Sequence, residues 1–203
     1  MKKEFLTYNL VRNNALKLAK TIHTSGFMPD VIYTSLRGGA YIANVISEYF
    51  KIVRTHQRPV LYAAVVARSY EDVGKATRVV VDGWTYDPEY LRNGDKILLV
   101  DDIFDSGETL NHLANIIIEK GVPRQDICIA VHDYKIFSYK HESVSIHPDY
   151  FCRKHVIESP QDDIWIHYLS HELVGLTPKE LDTYYFSEEP ELRDVLTHDL
   201  FEN

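Results

Sequence analysis

The chain has 203 residues, 45% of them hydrophobic, and a formal net charge of −8. That length provides one substantial core with a small appendage and is short for two full domains. The acidic excess argues against a general nucleic-acid binder, which needs a basic face to neutralise phosphates. A small anionic substrate is still compatible, because a few backbone amides and one magnesium ion can hold it locally.

No apolar stretch approaches the roughly 20 residues of a membrane helix, and the segment MKKEFLTYNLVRNNALK lacks the apolar region of a secretory signal. A cytoplasmic protein with no membrane or nucleic-acid partner is expected. Cys128 and Cys152 are far apart and show no CxxC spacing, so neither a disulfide framework nor a four-ligand zinc site is indicated.

In chain order, Leu10, Val11, Ala15, Leu18, Ala19 and Ile22 follow a helical period, and Ser25-Gly26 closes that helix before a short strand at Val31 to Thr34. A loop with Arg37-Gly38-Gly39 opens a second helix through Ala43, Ile46 and Phe50. An apolar strand is expected near Val60 to Ala67, followed by a polar stretch, Arg68 to Thr77, that reads as a mobile loop. The β-branched run Val79 to Val81 is a further strand. Asn93-Gly94-Asp95 turns the chain into the strand Ile97 to Val100, and residues 101 to 107 lead into a helix from Glu108 to Lys120. After Gly121-Val122-Pro123 comes a buried strand, Ile127 to Val131. Apolar strands alternating with helices predict a parallel sheet covered on both faces. Beyond Lys135 the pattern loosens, and an acidic tail from Ser187 to Asn203 reads as a solvated helix or frayed end.

The run Ile97 to Leu110, ILLVDDIFDSGETL, carries the clearest chemistry. It goes strand, loop, helix, so its polar residues fall at the carboxyl end of a strand, where ligands bind in parallel sheets. Amides of Ser106, Gly107, Glu108 and Thr109 open the helix, where unpaired N–H groups and the helix dipole favour a phosphate. Asp101 and Asp102 suit ribose hydroxyls or a hard cation such as magnesium. Taken alone, DSGET reads equally well as a capped helix start.

These fourteen residues resemble the phosphoribosyl pyrophosphate signature of type I phosphoribosyltransferases: apolar residues, two acids, two largely apolar residues, then Asp-Thr-Gly-x-Thr. Ser106 keeps the hydroxyl of the usual Thr, whereas Glu108 stands where Lys or Gly is common. Ser35-Leu36-Arg37-Gly38-Gly39 is similar to the family's pyrophosphate loop, which implies a cis peptide bond between Leu36 and Arg37. Ser69-Tyr70 resembles the Ser-Tyr of the family's closing lid. Lys135 lies where 6-oxopurine enzymes place a lysine on the exocyclic oxygen. Trp165-Ile166 is similar to the Trp-Ile pair that stacks the purine and bonds it through backbone groups. Glu172 falls near an acid that approaches the base or the metal. Without the family, Trp165 reads as a core aromatic and Lys135 as a surface charge.

The resemblance implies a type I phosphoribosyltransferase fold over residues 1–175, with a mainly parallel five-stranded sheet, flanking helices and a small hood built from the chain's ends. Residues 176–203 form an acidic extension. The implied substrates are phosphoribosyl pyrophosphate and a 6-oxopurine: hypoxanthine, guanine or xanthine. The site would be Asp105 as catalytic base; Asp101, Asp102, Ser106, Gly107, Glu108, Thr109, Leu36, Arg37, Gly38, Ser69 and Tyr70 for phosphoribosyl pyrophosphate; Lys135, Trp165 and Ile166 for the base; and Asp101, Asp102 and Glu172 for magnesium. A homo-oligomer, dimer or tetramer, is expected. The rival readings are a regulator that binds phosphoribosyl pyrophosphate without catalysis and an enzyme for another base. His167 and His171 at a spacing of four raise a zinc reading, and His171-Glu172 begins an HExxH that ends in Gly175 instead of His, with no third ligand in view.

Overall fold

In a computed structural model of the chain, residues 2–54, 58–70, 78–140 and 144–196 are described. The strands are β1 (Lys2–Leu6), β2 (Val31–Leu36), β3 (Leu61–Tyr70), β4 (Arg78–Trp84), β5 (Ile97–Phe104), β6 (Ile127–Phe137), β7 (Tyr150–Ile157) and β8 (Ile164–Tyr168). The helices are α1 (Tyr8–Thr24), α2 (Ala40–Val53), α3 (Glu108–Glu119) and the short α4 (Pro178–Leu181). Among the described residues no helix is long and apolar enough to cross a membrane.

Six strands rather than the expected five form the main sheet, in the order β4-β3-β2-β5-β6-β7, and every neighbouring pair is parallel except β3 with β4. The unexpected strand is β7. Its sequence YFCRKHVI carries three basic residues in mid-strand, because an edge strand needs only part of one face in the core.

Strand alternation sorts the core into two layers. Ile32, Leu98, Val100 and Ala130 face α1 and α2, where they meet Val11, Leu18, Ile22, Ile42, Ile46 and Phe50. Their immediate neighbours Val31, Tyr33, Ile97, Leu99 and Ile129 face α3 and pack on Leu110, Leu113, Ala114 and Ile117. The sheet is therefore covered on both faces, and its central strands read as continuous apolar runs for that reason. Thr7 starts α1 by accepting a hydrogen bond from the Leu10 amide at 3.4 Å.

A second, two-stranded sheet pairs β1 with β8 in parallel, Lys2 opposite Ile164 and Leu6 opposite Tyr168. Residues beyond 175 pack onto it. Leu176, Leu181 and Phe186 form a third small core with Phe5, and Lys3 Nζ reaches Glu180 Oε2 at 2.8 Å. Thr177 and Glu180 cap α4 reciprocally. The acidic tail read from Ser187 onward continues into one short 3-10 turn, Pro190–Asp194, and its last residues, 197–203, lie outside the described part.

Candidate active site

The carboxyl ends of β2 and β5 and the hood surround one cleft of about 690 Å³. Leu36, Arg37 and Gly38 line one wall, Asp101, Asp102 and Thr109 the floor, and Trp165, His171 and Glu172 the other wall. A smaller hollow of about 220 Å³ adjoins it over Asp105, Ser106, Gly107 and Thr109. Residues from four separate segments thus converge where a parallel sheet is expected to bind its ligand.

The loop after β2 is shaped by backbone alone. The Leu36–Arg37 peptide bond is cis, the Gly39 amide donates to the Ser35 carbonyl at 3.0 Å, and the Ala40 amide donates to the Arg37 carbonyl at 3.2 Å. A Cβ at Gly38 would displace the Asp102 carboxylate, and one at Gly39 would fall 2.5 Å from the Val100 carbonyl oxygen and 2.9 Å from Asp101 Cα, so the loop can lie against the β5 backbone only with glycine at 39.

Both Asp101 and Asp102 belong to β5, which runs four residues further than its apolar part. Burial and the neighbouring Asp102 charge push the Asp101 carboxyl well above the usual carboxylate range, against a lowering hydrogen bond with Ser35. A cation in the cleft would reverse that preference. At the start of α3, Gly107 has φ +77°, and a Cβ there would run into the Phe104 ring. Ser106 Oγ accepts from the Glu108 amide at 3.4 Å. Glu108 sits in the first turn of α3 and is not among the residues that line either hollow.

Asp105 is half exposed, with its side chain at 52%, and its Oδ2 lies 3.3 Å from Lys135 Nζ. Lys135 is far from a surface charge: its side chain is 4% exposed, and it also reaches Asp163 Oδ1 at 2.8 Å. Trp165 is no core aromatic either, being 52% exposed on the wall of the cleft. Ile166, one position on, turns its side chain into the core of α1 and α2. Glu172 Oε2 accepts the Tyr168 amide at 2.9 Å. Ser69 and Tyr70 end β3. Their side chains and residues 71–77, which carry the expected lid, lie outside the described part.

The expected magnesium site has a compatible donor set, since Asp101, Asp102 and Glu172 present carboxylates to one cleft. Among the described residues no three side chains gather closely enough to hold a metal by themselves. Magnesium typically retains waters and binds through one or two carboxylates plus substrate phosphates, so these residues fit it.

Little in the sequence signals what lies under the hood. Asp133 is fully buried. Its Oδ2 meets His132 Nδ1 at 2.6 Å and the Tyr168 hydroxyl at 2.7 Å, and its Oδ1 meets His155 Nε2 at 2.6 Å and Arg153 Nε at 3.4 Å. Burial alone would raise this carboxyl, but hydrogen bonds from His132, Tyr168 and His155 leave it below its ordinary value. Tyr168 shares its one proton between Asp133 and the Asp102 carbonyl, 3.0 Å away. His171 stacks on the Tyr168 ring at 5.2 Å and places Nε2 3.3 Å from Asp102 Oδ2. His167 instead is buried and directs Nε2 at the Glu172 carbonyl, 3.2 Å away.

The family model described as phosphoribosyl transferase domain matches residues 3–168. The chain belongs to that family, an enzyme class whose reaction is phosphoribosyl transfer, and has its mostly parallel α/β fold. No curated protein matches it in sequence. Among solved structures, a purine phosphoribosyltransferase from Pyrococcus horikoshii is 22% identical with a TM-score of 0.63, over 87% of this chain and 99% of that one. A hypothetical protein from Neisseria gonorrhoeae with bound ppGpp is 19% identical with a TM-score of 0.67, over 93% and 99%. The xanthine-guanine-hypoxanthine phosphoribosyltransferase of Helicobacter pylori is 18% identical with a TM-score of 0.56, over 95% and 96%. At these identities the likeness is one of fold.

Proposed function

We propose that the chain transfers the phosphoribosyl group of phosphoribosyl pyrophosphate to a 6-oxopurine, releasing pyrophosphate and a purine nucleotide. The observation that carries this reading is the shared cleft, in which the Leu36–Gly38 loop and the β5 acids face the exposed Trp165 across one space. The loop amides and the start of α3 would hold the two phosphate ends of the sugar substrate. Asp101 and Asp102 would take the ribose hydroxyls between them. Trp165 would stack the purine, Lys135 would donate to its 6-oxo group, and Asp105 would accept the proton that the purine nitrogen sheds as the glycosidic bond forms. Magnesium bound at Asp101, Asp102 and Glu172 would neutralise the leaving diphosphate. Two of the solved structures, both purine enzymes, support the choice of base class.

The test is a panel of free bases incubated with phosphoribosyl pyrophosphate and magnesium, read by nucleotide formation. Hypoxanthine, guanine or xanthine should be converted, and excess chelator should abolish the reaction. Conversion of adenine or orotate alone would overturn the base assignment, and binding of phosphoribosyl pyrophosphate without turnover of any base would mark a regulator.

A second reading is favoured by the ppGpp-bound Neisseria structure. A cleft that takes a diphosphate and a purine also suits a purine nucleotide carrying diphosphates. Guanosine tetraphosphate should then inhibit in competition with phosphoribosyl pyrophosphate; absence of inhibition at millimolar concentration would remove this reading.

A further inference from the structure

Lys135 is held from two sides by acids that belong to different parts of the site. On one side stands Asp105 of the phosphate loop, with Oδ2 at 3.3 Å. On the other stands Asp163, with Oδ1 at 2.8 Å and its side chain only 20% exposed. Asp163 lies immediately before β8 and two residues before Trp165, so one short segment of the hood carries both the lysine's partner and that ring. A lysine side chain has four rotatable bonds and three N–H donors. The two carboxylates engage two of those donors and fix the ammonium between the phosphate loop and the hood.

We infer that Asp163 is a specificity-determining positioning residue, which aims the ammonium of Lys135 at the exocyclic oxygen of the purine. This rests on the function proposed above. The shorter contact belongs to Asp163, so the hood acid, more than Asp105, decides where the ammonium points. Without it the ammonium turns to its remaining partner, Asp105, and is drawn away from the base. A donor-only group selects a ring substituent that accepts, so loss of its aim weakens binding of 6-oxopurines in particular.

Steady-state kinetics of Asp163→Asn decide the matter, with wild type measured first. If wild type converts no 6-oxopurine, the function itself is wrong, whatever the variant does. If it does, Asp163→Asn should raise the Michaelis constant for the 6-oxopurine about tenfold to a hundredfold, the size of one charge-assisted hydrogen bond. The constant for phosphoribosyl pyrophosphate should stay within about threefold. Asp162→Asn is the neighbouring control, because that carboxylate takes the Ser159 hydroxyl at 2.6 Å and no lysine among the described residues, and it should leave both constants unchanged. The effect should also vanish in a Lys135→Ala background, since Asp163 acts through that lysine. An unchanged constant for the base, an equal rise for both substrates, or an undiminished effect without Lys135 would each overturn the assignment.

Discussion

Asp105 and Trp165 allow the proposed chemistry and the proposed base binding to be tested separately, because each is half exposed and neither supports the core. Asp105→Asn keeps the shape of the side chain and removes its basic oxygen. The turnover number should fall by at least about a hundredfold, while affinity for phosphoribosyl pyrophosphate, measured by titration, stays within about tenfold. Normal turnover, or failure to bind the sugar phosphate, would remove Asp105 as the base. Trp165→Ala should raise the Michaelis constant for the purine by a factor equivalent to about 1 to 3 kcal/mol of lost stacking, with little change in melting temperature. An equal loss for both substrates would show that the ring does not stack the base. Legibility at this scale followed locality. The acids and hydroxyl of residues 101–109 stand in one unbroken run and can be read from it, Gly107 among them at the start of the helix, and Gly38 is legible in the loop before α2. Asp163 and Asp133 were not legible, because their partners Lys135 and Tyr168 lie 28 and 35 residues away. His171 is legible in the sequence only through its zinc-like spacing from His167 and its neighbour Glu172.

At the scale of elements, the apolar strands and the first three helices were readable from periodicity, and their core sides follow from it. Of the strands read incompletely or not at all, β6 and β7 share a cause. β6 continues six residues past Val131 through His132, Asp133 and Lys135, all buried, and β7 supplies Arg153 and His155 to the same cluster. Polar side chains that satisfy one another inside the protein look like surface in a sequence. This cluster ties the hood to the sheet, since Tyr168 of β8 bonds both Asp133 of β6 and the Asp102 carbonyl of β5. Tyr168→Phe deletes those bonds and leaves both acceptors short of a donor, at a cost of about 1 to 3 kcal/mol. The melting temperature should drop by roughly 2 to 12 °C for a chain of this size, and the Michaelis constant for the base should rise with it. A variant as stable as wild type would show that the hood does not depend on this anchor.

For the whole molecule, the amino ends of the same strands are closed by charge just as the carboxyl ends are opened for a ligand. Asp30, immediately before β2, accepts the Lys96 amide at 2.9 Å and pairs with Arg54 at 2.6 Å and Arg58 at 3.5 Å. Burial pushes its carboxyl up, but the Lys96 amide and the two guanidiniums outweigh that and leave it below its ordinary value. Between the folded and unfolded values the unfolded chain binds more protons, so this stabilisation is complete above about pH 4 and is lost as pH falls through the folded value. Melting curves from pH 7 to 3 should therefore steepen downward below about pH 4. Asp30→Asn should melt lower at neutral pH by the equivalent of about 1.5 to 3 kcal/mol and show a shallower acid decline. An identical acid limb in the variant would assign the lability elsewhere. The β1–β8 pairing has a different bearing, on the order in which the protein can be made. Lys2 finds its partner only at Ile164, a long loop to close. On a ribosome the first strand emerges early and must wait, unpaired, until the six-stranded sheet has been synthesised beneath it. The wall that carries Trp165 thus assembles after the sheet, and a chain stopped before residue 164 could bring together the β2 and β5 side of the cleft while still having nothing against which to close it.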